Sequence, residues 1–113
     1  MIVKEKVPKG HITIRKVDET GKALQNGKFQ ITALEDIRSA SGNILLRAGT
    51  VADTIVTDRN GTAISKDIYL GKYKVSEVRP PEGYAISRQV FEANLSKTEP
   101  EKAILVRNQK MHL

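Results

Sequence analysis

Cysteine is absent from this chain of 113 residues. That excludes disulfides and thiolate metal sites. Tryptophan is absent as well, and aromatic residues make up only 4%. The core must therefore be aliphatic, and no stacking platform for nucleic acid is available. No apolar run approaches the length of a membrane span, so this segment is not expected to insert in a bilayer. Nothing reads as a signal peptide or sorting tail, so a role outside the cell would make the chain a piece of something longer. His11 and His112 stand alone, without carboxylate or cysteine companions at ligand spacing, and read as ordinary surface histidines. There is no Gly-x-Ser-x-Gly elbow and no phosphate-binding loop. Neither a metal nor a cofactor is expected.

Hydrophobic residues make up 39% and are spread along the chain, enough for one modest core and one domain. The net charge of +6 would permit a polyanion partner. Lysine and arginine are scattered singly, however, which reads as a solvated surface and not a nucleic-acid face. Short β-like runs recur between turn signals: "HITIRKV", "GKFQITAL", "NILLRAG", "TIVTD", "KYKVSEV", "QVFEANL" and "AILVRN". Runs of this length and spacing predict an antiparallel sandwich or barrel. No segment shows sustained helical periodicity, although "ALEDIRSASG" has room for one helical turn. "TDRNGT" is a turn, with Asn60–Gly61 supplying positive φ. Its spacing of Asp58 and Asn60 also suggests a calcium loop, but the third ligand and the distal glutamate are missing. Glycosylation sequons at Asn60 and Asn94 are too short a pattern to carry weight. "IVKEK" at residues 2–6 weakly echoes "LVRNQK" at residues 105–110, as the end of a preceding module would.

The chemistry lies in a break of pattern. In "ITIRKVD" the face bearing Ile12 and Ile14 continues into Lys16, while Arg15 already serves the outward face. In "YKVSEV" the row Tyr73, Val75 ends in Glu77; in "AILVRNQ" the row Ile104, Val106 ends in Asn108. Each polar group taken singly reads as a lysine snorkelling to solvent, a glutamate at a sheet edge and an asparagine capping a turn. Together, on three inward faces, they supply an amine, an acid and a carboxamide to one apolar site. Burying any of the charges alone costs several kcal/mol, so each demands a partner. Burial disfavours both charges, so a proton can pass from the ammonium to the carboxyl and leave a nucleophilic amine. Attack on the Asn108 carbonyl, with Glu77 hydrogen-bonding the oxyanion and delivering a proton to the departing nitrogen, would release ammonia and join Lys16 to Asn108.

"ITIRKVDETGKAL", "GKFQI", "TDRNGT", "YLGKYKVSEVRPPEGY" and the closing "ILVRNQ" resemble the Cna protein B-type (SpaA-like) domain of Gram-positive surface adhesins and pilins. The likeness runs from about Gly10 to Asn108, with residues 35–53 less typical. It implies an all-β, prealbumin-like β-sandwich of inverse immunoglobulin-type topology, with residues 1–9 as a linker or the end of a preceding module, 10–110 as one domain and 111–113 as a tail. It also implies an isopeptide bond between Lys16 of "KVD" and Asn108 of the last strand, assisted by Glu77 of "VSEV". The expected role is a structural stalk or pilin module of a cell-wall-anchored surface protein, monomeric when isolated and joined to neighbouring modules. It is not an enzyme beyond one autocatalytic turnover. The alternative is an adhesin domain that recognises a host protein; the lack of tryptophan argues against a sugar-binding face.

Overall fold

A computed structural model describes residues 7–111; the stretch 2–6 and His112 lie outside the described residues. Ten strands follow in order: β1 (Lys9–Asp18), β2 (Lys28–Ala33), β3 (Ile37–Arg38), β4 (Ile44–Leu46), β5 (Val51–Val56), β6 (Thr62–Ile64), β7 (Ile68–Tyr69), β8 (Gly71–Arg79), β9 (Val90–Leu95) and β10 (Glu101–Asn108). They build one sheet in the order β10-β1-β6, with β7 also pairing β1, and a second in the order β5-β2-β8-β9. The two sheets bury their inner rows against each other: Ile12 and Ile14 of β1 and Val106 of β10 on one side, Phe29 and Ile31 of β2 and Tyr73 and Val75 of β8 on the other. The alternation of long apolar and polar residues dictates this, because successive side chains of a strand point to opposite faces.

Three features depart from the sequence reading. The pairing is not antiparallel throughout: β1 and β10 run parallel, in register from His11↔Glu101 to Asp18↔Asn108. A parallel pair needs a long crossover, and here the crossover is the rest of the domain. The stretch "ALEDIRSASG" forms no helical turn; it contains β3, which pairs with β4 as a separate small hairpin. Ile37 of β3 drops into the core, so tertiary burial and not local propensity decides its conformation. Val17 also breaks the alternation. It belongs to the outward row yet is buried, because the chain after β1 folds back over it and bridges Ala23.

Turns of matching design flank the far end of β1. In each, an aspartate side chain accepts from the amides two and four residues on: Asp18 Oδ1 from Thr20 and Lys22, Asp58 Oδ1 from Asn60 and Thr62. In each, the aspartate carbonyl accepts from a glycine amide, Gly21 or Gly61. Asp58 thus spends its near carboxylate oxygen on the turn itself, as the turn reading of "TDRNGT" requires, and the positive φ falls on Gly61. His11 is half-buried, with Nε2 3.9 Å from the Glu101 carboxylate.

Candidate functional site

Lys16, Glu77 and Asn108 come from β1, β8 and β10, one strand in the second sheet and two in the first. All are buried, Lys16 fully. They extend the apolar rows of their strands and close one end of the core, as alternation predicts. The Lys16 ammonium nitrogen lies 2.8 Å from Glu77 Oε2. Among the described residues this ion pair is the contact that Nζ makes with a polar group, and no other hydrogen-bond partner meets it. Its stem runs beneath Phe29, whose ring centre is 5.7 Å from Nζ. Phe29 is also the cross-strand neighbour of Glu77, so one ring roofs both groups.

The Asn108 amide nitrogen donates to both oxygens of Glu77, at 2.9 Å to Oε1 and 3.0 Å to Oε2. It also donates to the Ala85 carbonyl at 3.1 Å. That carbonyl can only accept, so it settles which end of the carboxamide faces the glutamate. Glu77 therefore meets the nitrogen of Asn108 and not its oxygen. Asn108 Oδ1 is buried without a hydrogen-bond partner among the described residues. In this unreacted arrangement Glu77 faces the nitrogen that would leave, whereas the sequence reading places it at the oxyanion that develops later.

Burial pushes the Lys16 ammonium below its usual 10.5, and the hydrogen-bonding and charge of Glu77 only partly oppose this. The backbone of Lys16 is held as firmly as its side chain. Its amide donates to the Gly61 carbonyl at 2.7 Å, and its carbonyl accepts from Leu24 at 3.0 Å. The flanking turns thus fix the height of the amine in the core.

The segment after β8 covers the site from outside. Pro81 accepts from the Tyr84 amide, Ala85 donates to the Gln109 carbonyl, and Met111 donates to Gly83. Apart from its tyrosine, nothing in the residues of "RPPEGY" announces this cover. Its contributions are backbone groups, Ala85 C=O and Ser87 N–H, which have no side-chain signature. The only signal was the tyrosine, which bridges Lys110 just past the last strand and lies within 3.5 Å of Asp18.

Two packed sheets, with first and last strands side by side in parallel and a lysine, glutamate and asparagine closed into one end of the core, define a prealbumin-like module with a buried amine–carboxamide pair. The chain belongs to the SpaA family of prealbumin-like fold domains, whose model matches residues 10–110. It is 31% identical over 81 residues to the trypsin-resistant surface T6 protein of Streptococcus pyogenes serotype M6, covering 72% of this chain and 13% of that one. Among solved structures it resembles the Bacillus anthracis TIE protein at 25% identity and a TM-score of 0.70, covering 91% of this chain and 17% of that one. The full-length major pilin SpaD of Corynebacterium diphtheriae shares the fold at 20% identity and a TM-score of 0.72, over 95% of this chain and 32% of that one. The chain thus spans a small fraction of these relatives.

Proposed function

We propose that residues 10–110 form a structural module of a Gram-positive surface protein or pilus, locked by a bond it makes itself between Lys16 and Asn108. The observation that carries this is the buried Glu77 carboxylate in contact with both the lysine nitrogen and the asparagine nitrogen. Kinship with pilin and surface-protein domains supports the structural role, and the trypsin resistance in the name of the streptococcal relative is what a locked sandwich would give. Such a module would stand outside the cell, in a longer cell-wall-anchored chain, with neighbouring modules as its partners.

The chemistry balances through Glu77. It takes one proton from the Lys16 ammonium, and the free amine attacks Cγ of Asn108. Glu77 passes that proton to the amide nitrogen and takes a second from the attacking nitrogen. The C–N bond of the carboxamide breaks, and ammonia leaves with the surplus proton as ammonium. No donor among the described residues meets Oδ1, where negative charge develops. A missing oxyanion donor costs roughly 10²–10³ in rate. A reaction that each molecule performs once can bear that loss.

Intact mass spectrometry of the folded protein tests the bond: the mass should fall short of the sequence mass by one ammonia, with a branched peptide joining the segments around Lys16 and Asn108. Glu77→Gln should fold yet keep its full mass. A folded wild type at full mass removes the bond; a crosslinked Glu77→Gln removes the proton shuttle and leaves the bond. The module's ability to bind a host matrix protein by itself, the rival reading, is decided by a pull-down with the isolated domain.

A further inference from the structure

The two oxygens of Glu77 are not equivalent. Oε1 accepts the Ser87 backbone amide at 2.6 Å and the Asn108 nitrogen at 2.9 Å. Oε2 faces the Lys16 nitrogen at 2.8 Å and the Asn108 nitrogen at 3.0 Å. A proton on Oε1 would point a donor at the Ser87 N–H, which cannot accept it. A proton on Oε2 leaves the Ser87 bond intact and lies between the nitrogen that attacks and the nitrogen that leaves.

We propose that the Ala85–Ser87 cover is a positioning element for the crosslink: the Ser87 amide confines the travelling proton to Glu77 Oε2, and the Ala85 carbonyl turns the Asn108 nitrogen toward that oxygen. This rests on the crosslinking role assigned to the triad and names what makes it directional. Without the Ser87 donor, the carboxyl could rotate or hold its proton on the side away from Lys16. Without the Ala85 acceptor, the carboxamide could flip and present its oxygen to the carboxylate, an arrangement that repels. Neither backbone group reacts; each acts through the orientation of a group that does.

The test starts from full-length chain kept unfolded in denaturant, where the three groups are apart, and follows bond formation by intact mass after dilution into refolding buffer. Circular dichroism tracks folding in parallel. Ser87→Pro deletes the amide donor, and Ser87→Ala keeps it. The expected result is wild-type bond formation in Ser87→Ala and bond formation slowed about tenfold or more in Ser87→Pro, with refolding unaltered in both. Should the proline prevent folding, an ester in place of the Ser87 amide removes the same N–H with little change of shape and decides the matter. Equal rates with and without the N–H, in a wild type that does crosslink, overturn the positioning role alone. A folded wild type that never loses ammonia overturns the crosslink itself, and this role with it.

Discussion

Lys16 is an unusual residue to bury fully, at the end of an aliphatic row and beneath the ring of Phe29. An uncompensated buried charge of this kind costs about 3–5 kcal/mol, and Glu77 is the group that compensates it. The strain on the amine has a pH signature. In Asn108→Ala, Lys16 cannot be consumed, so it titrates in the folded state with its pKa below 10.5. Between that lowered value and 10.5 the unfolded chain holds the proton and the folded chain does not. Stability should therefore rise with pH through this window and be lost as pH falls through the folded value. Urea midpoints across the alkaline range should show that slope in Asn108→Ala and lose it when Lys16 is also changed to Met. The same slope in both variants would show that Lys16 keeps an ordinary affinity for its proton.

β1 carries most of the organisation, because it pairs with β10, β6 and β7 at once. Gly61 secures its far end. A Cβ there would lie 2.6 Å from the Lys16 carbonyl oxygen, and φ is +72°. Gly42, in the small hairpin, also has positive φ (+90°) but open space around it. Gly61→Ala should lose about 1–3 kcal/mol more than Gly42→Ala, because it adds overpacking to backbone strain; a similar fall in melting temperature for the two would mean that β1 tolerates displacement at Lys16. The rows of β1, β8 and β10 were legible in the sequence because alternation reports faces directly, and the triad followed from them. Three things were not. The parallel pairing of β1 with β10 depends on the path of the intervening chain, which periodicity does not encode. The strands β3, β6 and β7 have two or three residues each, too few to display a period. The cover over Glu77 works through main-chain groups, the Ala85 carbonyl and the Ser87 amide; every residue type carries the first and all but proline the second. The orientation of the Asn108 carboxamide followed from that cover, so it too was hidden.

In the crosslinked molecule a covalent ring would close from Lys16 to Asn108, around nearly every strand. By the chain-entropy account a loop of roughly 90 residues is worth about 4–5 kcal/mol. At about 4 °C per kcal/mol, wild type should melt some ten degrees or more above Glu77→Gln and resist trypsin longer, by more than the same substitution costs in an Asn108→Ala background, where only the pairing with Lys16 is lost; equal falls in the two backgrounds would show that the bond is absent or without thermodynamic effect. Pulled by its ends, wild type should stop far short of full extension, whereas Glu77→Gln should unravel completely. The parallel register sets the route of that tension. Lys16 and Asn108 sit at the same end of their paired strands, with Asp18 opposite Asn108. Tension entering at Lys9 would travel up β1, cross at Lys16 and leave through Asn108. Residues 17–107 would then hang beside the taut line and not in it, so loops and outer faces there could change under selection, even drastically, while the tether kept its strength.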